Sequence, residues 1–172
     1  MASCAVESTI DVALWFINRA SSEDSYIQAQ KLQRLLYLAQ GCYAQENYGR
    51  KLMPATFVTH DMGPVEPNVF RVFEAGRPQI DYVPPAAEVA DFLERMWRRF
   101  AIHPVERLNT LVIGQAAYRN ASAGGMREEI SHDALIEAFK SPEQKKEPTL
   151  RTPDGRRVTK WLPSRSAPKG PR

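Results

Sequence analysis

The chain has 172 residues, 43% of them hydrophobic and 25% charged, with a formal charge of +3. That is enough for one domain with a real core, or one domain and a tail, and it excludes a disulfide-stapled miniprotein and a disordered polyelectrolyte. The charge is unevenly placed: residues 1–140 carry 14 Lys/Arg against 17 Asp/Glu, and residues 141–172 carry 9 against 3.

From the N-terminus, Ser8 is placed to cap a helix, with Asp11 near the positive end of its dipole. Ile10, Ala13, Leu14 and Ile17 then share a face. The apolar run Val12–Ile17 is too short for a membrane span or a signal core, and no signal peptide is read at the start. Ser21 to Ser25 breaks this helix. A second helix is predicted from Ile27 to Asn47. Its stripe is Leu32, Leu35, Leu36, Ala39, Cys42 and Tyr43, at offsets 0, 3, 4, 7, 10 and 11. Lys31, Gln33, Arg34 and Gln40 fall largely off the stripe, and the Lys31 and Arg34 pair reads as a solvated edge. Tyr48-Gly49 closes the helix.

Phe57-Val58-Thr59 reads as a short extended segment. Gly63-Pro64-Val65 then turns the chain, and Pro67 suits the first position of a helix that buries Val69, Phe70 and Phe73. After a loop over residues 77–85, Val89, Phe92, Leu93, Met96, Trp97 and Phe100 repeat the helical stripe. His103-Pro104 opens a helix with Val105, Leu108, Leu111 and Val112, and residues 116–120 continue helical. Ser131 caps a last helix that carries Leu135, Ile136 and Phe139, with Ile130 stapled onto Leu135. The predicted fold is mainly α: a compact multi-helix domain over residues 1–140, with one short extended segment near 55–60.

Residues 141–172 hold six of the thirteen prolines. Pro153-Asp154-Gly155 is a turn signal, compatible with a small hairpin in an otherwise flexible basic tail. Arg151, Arg156, Arg157 and Lys160 surround Trp161, and Arg and Trp dominate interface hot spots. With Lys31 and Arg34 they are the candidate partner-contacting residues. A basic arm of this kind also suits nucleic-acid phosphates. The absence of a clear helix-turn-helix weighs against that reading.

Catalytic signals are poor. His60, His103 and His132 are far apart, without metal-ligand spacing, and no GxGxxG, P-loop or HEXXH pattern occurs. His60-Asp61 would point to opposite sides of an extended segment. Cys42 sits on an apolar stripe, where a thiol is inert. Cys4 and Cys42 have no pairing motif and suit a reducing compartment, so a cytoplasmic protein without catalytic or cofactor residues is expected.

The run Lys31-Leu32-Gln33-Arg34-Leu35-Leu36-Tyr37-Leu38-Ala39-Gln40-Gly41 closely resembles the signature helix of the Panacea domain, also called the SocA-like antitoxin domain. Tyr48-Gly49, Gly63-Pro64-Val65 and Val69-Phe70 follow in the family's order and spacing. Phe92-Leu93 with Trp97, Pro104 to Leu108, and Ile130 to Phe139 resemble its second half. The resemblance spans residues 9–140. Departures are His60 and Tyr118, where family members often carry Trp, and Met62, where an aromatic or histidine is common. The resemblance implies a mostly helical, non-enzymatic antitoxin of a bacterial or phage toxin–antitoxin pair. It would act by binding the toxin encoded beside it, and SocA-type members are also associated with delivering their toxin to the ClpXP protease.

Overall fold

The computed structural model describes residues 3–141 and the strand segments 149–151 and 157–159. The chain divides into two units, Met1–Phe139 and Lys140–Arg172. The first is mainly helical, with seven helices: α1 (Thr9–Ser21), α2 (Ala29–Glu46), α3 (Pro67–Phe73), α4 (Ala87–Phe100), α5 (Val105–Ile113), α6 (Ala116–Ser122) and α7 (His132–Phe139). Two short strands, β1 (Phe57–Val58) and β2 (Glu129–Ile130), pair antiparallel with Phe57 opposite Ile130. Val65 adds a bridge on the other side of Val58. None of the helices is long and apolar enough to cross a membrane, among the described residues.

The helix starts follow local chemistry. Ser8 Oγ accepts from the Ile10 amide at 3.2 Å. Glu66 caps α3, its carboxylate accepting from Val69 N at 2.7 Å, with Pro67 in the first turn. The Ser131 hydroxyl accepts from Ala134 N at 3.2 Å to start α7. Each such cap satisfies an amide that the helix itself leaves unpaired.

α2 is the central element, packed against α1, α3, α4, α5 and α7. From Leu32 to Ala44 every residue is buried. Its aromatic neighbours fix the contacts: Tyr37 meets Phe57 edge-on at 5.2 Å between centroids, and Tyr43 meets Phe92 in the same way at 5.0 Å. Such pairs add about 0.5–1.5 kcal/mol beyond the area they bury. Where α7 crosses α2, a Cβ on Gly41 would lie 2.3 Å from the Phe139 ring, so only glycine permits this approach. α1 is tied to α4 by Arg19, which donates to both carboxylate oxygens of Glu94 at 2.7 and 3.1 Å.

Three expectations about buried faces need correction. The inner face of α1 is Thr9, Val12, Ala13, Leu14, Phe16 and Ala20, whereas Ile10 and Ile17 are only half-buried. Phe70 is 37% exposed on the outer side of α3, which buries Val69 alone. Ile130 is buried as expected, but as a strand residue opposite Phe57.

In the second unit, β3 (Thr149–Arg151) and β4 (Arg157–Thr159) pair antiparallel, with Leu150 opposite Val158. Pro153-Asp154-Gly155, read from sequence as a turn signal, lie outside the described residues.

Candidate functional site

Side chains from several elements meet at one place, the turn from Thr59 to Glu66. Gln30 Nε2 donates to its Met62 carbonyl at 3.3 Å. Arg34 Nη1 donates to the Pro64 carbonyl. Gln33 receives the Glu66 amide at 2.8 Å and donates to the Glu66 carbonyl at 3.4 Å. Tyr118 Oη donates to the His60 carbonyl at 2.8 Å. Thr59 Oγ1 donates to Gly125 O at 2.8 Å and receives Glu128 N at 3.0 Å, which fastens the turn to the 125–128 loop.

Arg34 is the centre of this arrangement. It is fully buried, and its Nε donates to Asn109 Oδ1 on α5 at 2.6 Å. Gly63 covers it at φ +100°, and a Cβ there would sit 2.6 Å from Nη2. Nη2 has no hydrogen-bond partner among the described residues. No carboxylate there pairs with the guanidinium, and burial pulls its pKa from 12.5 down to about 10. It therefore remains a cation at neutral pH, compensated by carbonyl and amide oxygens.

The other polar members of the motif behave alike. Lys31 is half-buried and its Nζ donates to the Ala101 carbonyl at 2.5 Å, past the end of α4. Tyr37 Oη donates to Gln115 Oε1 at 3.2 Å. Gln40 grips Met53 through both its amide and its carbonyl, each at 3.1 Å. The motif is thus a clamp set: apolar members pack, and polar members hold pieces of backbone that lack regular partners.

This corrects the sequence reading of Lys31 and Arg34 as an exposed edge, and it buries Gln33 and Gln40, which lie off the stripe. Arg34 offers no surface to a partner, because it is fully buried within the enclosed stretch Leu32–Ala44 of α2. The expected core roles of Leu32, Leu35, Leu36, Gly41, Gly63, Pro64 and Val65 hold, all seven being buried. Arg151 and Arg157 face each other in the β3–β4 register. Arg156, Lys160 and Trp161 lie outside the described residues.

His60 does not pair with Asp61. Its Nδ1 lies 3.2 Å from the Met62 amide, which donates to it, and its ring stands 6.1 Å from that of Phe70. Cys42 is buried, and desolvation pushes its thiol up to about 11, leaving it protonated at neutral pH. Among the described residues no three His, Cys, Asp or Glu side chains are grouped to hold a metal ion.

On its outer side the 59–66 turn borders a groove of about 530 Å³. Val58, Val65, Pro67 and Phe70 give it an apolar lining, and His60, Arg71 and Arg127 complete it. Sequence reasoning missed this surface, since Phe70 reads as core by its helical spacing. Arg127 carries no signal at all until β1 and β2 bring its loop beside the turn.

No family model matches the chain, and no curated protein or solved structure matches it.

Proposed function

We propose that this protein is an antitoxin that neutralises a toxin encoded beside it by direct protein–protein contact. One observation carries the reading: the polar residues of the Panacea-like run bond internally, Gln33 and Arg34 to the 59–66 turn, Lys31 to Ala101, Tyr37 to Gln115 and Gln40 to Met53. A motif of this kind supports a rigid scaffold for binding, because each of its polar side chains makes an internal hydrogen bond. Rigid presentation lowers the ordering cost of association, which is what turns buried area into affinity.

The turn and α3 present apolar surface outward at Phe70 and Val72, each 37% exposed. A stable complex typically buries about 1,600 Å² in total. The surface around this turn is the natural centre of such a contact, and the basic residues 141–172 add long-range attraction to an acidic partner. Delivery of the bound toxin to ClpXP is a further role for the same complex.

Co-expression of the chain with a tagged product of the adjacent gene tests the reading. A stoichiometric complex that survives gel filtration is expected. Separate elution of the two proteins at micromolar concentration contradicts it.

A further inference from the structure

The groove beside Phe70 joins two features that point to one kind of occupant. Its floor is apolar, formed by Val58, Val65, Pro67 and Phe70, and no Asp or Glu lines it. Its volume, about 530 Å³, lies within the range of about 300–1,000 Å³ that receives ligand groups. Arg71 and Arg127 stand on its rim, and neither is paired with a carboxylate among the described residues. Arg19, Arg95 and Arg98 on the same unit have glutamate partners, whereas Arg50 and Arg77 bond to the Ser3 carbonyl and the Asn18 amide oxygen. These two open guanidiniums therefore form a positive edge on a body, residues 1–140, whose formal charge is −3.

The backbone around the groove is firmly set. Arg127 N donates to Thr59 O at 2.9 Å, and Arg127 itself adopts φ +63°. That left-handed conformation is strained for a residue with a Cβ. Val58 and Val65 exchange two backbone bonds of 2.9 Å across the floor. The clamps from Arg34 and Gln33 hold the backbone of Pro64 and Glu66, on either side of Val65.

We propose that this groove docks an extended acidic segment of a protein partner, with one aromatic or aliphatic side chain seated against Phe70 and Val65 and flanking carboxylates on Arg71 and Arg127. The inference rests on the protein-binding reading above and names the chemistry of the partner's contact. Charge complementarity selects the occupant: arginine forks receive carboxylates bidentately, and the apolar floor excludes the water that would compete.

The probe is a fluorescein-labelled peptide with one tryptophan between two pairs of glutamates, titrated with the full chain and read by anisotropy. A matched peptide carries glutamines instead. The acidic peptide binds at least tenfold tighter, and its affinity falls as salt rises. The double change Arg71→Glu with Arg127→Glu weakens it at least tenfold, as does Phe70→Asp. All three positions are exposed, and circular dichroism checks that the variants stay folded. Equal binding of the two peptides, no binding, or binding indifferent to the charge reversal overturns the proposal. So does a dimer of the chain that the reversal dissolves, or residues 141–172 becoming protease-sensitive only in the reversed chain, since either identifies a different occupant.

The adjacent-gene product separates the two levels of the claim. A complex lost on charge reversal supports both. A complex kept unchanged removes the groove and leaves the antitoxin reading standing. Peptide binding at the groove without any complex leaves the groove and removes the antitoxin reading.

Discussion

The Arg34 guanidinium lies directly beneath Gly63, so close that a single methyl on the glycine would fall 2.6 Å from Nη2. The two positions are therefore one unit, although they stand in different parts of the chain. Arg34 holds the turn through the Pro64 carbonyl, and Gly63 closes over it in a left-handed conformation that side chains avoid.

Arg34→Ala leaves the Pro64 carbonyl and Asn109 without their buried partner, and is expected to cost about 2–4 kcal/mol. Gly63→Ala costs about 1–3 kcal/mol through its positive φ and the clash with Arg34. In the Arg34→Ala background the clash disappears and only the backbone strain remains. Urea denaturation of the four proteins is thus expected to give a double change smaller than the sum of the single ones. Strict additivity contradicts the coupling.

Gly41→Ala is expected to destabilise by about 1–3 kcal/mol, because its Cβ meets the Phe139 ring at 2.3 Å. Adding Phe139→Ala opens that space. Thermal melting then shows Gly41→Ala nearly neutral when measured against Phe139→Ala alone. A full penalty in both backgrounds would mean that glycine is needed for another reason.

Cys42 is buried with its thiol pushed up to about 11, whereas Cys4 is half-exposed. Only the thiolate reacts with alkylating agents. Iodoacetamide on the native protein at pH 8, read by mass spectrometry, is expected to modify Cys4 and spare Cys42. Denaturant then exposes the second site. Equal native labelling contradicts the burial of α2.

The Arg19 hydrogen bond holds the Glu94 carboxyl below its ordinary 4.5. The folded state therefore binds that proton less readily than the unfolded chain. The stabilisation is complete above the ordinary value and is lost as pH falls through the folded one. Glu94→Gln removes it, so stabilities of wild type and variant are expected to converge on acidification below about pH 4. With the Glu94 side chain 25% exposed, the gap at neutral pH is small. A gap that widens in acid contradicts the sign.

The apolar half of this fold is legible in the sequence and the polar half is not. Leu32, Leu35, Leu36, Ala39 and Cys42 are found by periodicity because a stripe marks the side of a helix that faces a core. Gln33, Arg34 and Gln40 escape it because α2 has no solvent side from Leu32 to Ala44, and a buried polar residue is recognised by its partners, which lie elsewhere in the chain. Both strands are two residues long; β1 shows itself through the adjacent strand formers Phe57 and Val58, while β2 joins Glu129 to Ile130 and carries no such run. Ile130 was placeable in the core without being placeable in a strand. The face of α1 turns by about one residue because Thr9 is buried beside Val12 and Phe16, and threonine does not count as apolar in a stripe. The groove is invisible to sequence for a simpler reason: it is assembled from the 58–71 stretch and from Arg127, brought together only by strand pairing.

Neutralisation by binding is measured most directly by the growth of cells carrying the chain and its adjacent gene under separate inducers. Induction of the neighbour alone is expected to arrest growth, and joint induction to restore it. Wild-type protein should rescue, and the destabilised Arg34→Ala protein should rescue poorly at equal expression. Arrest that persists at full co-induction, with both proteins present and soluble, would contradict the account.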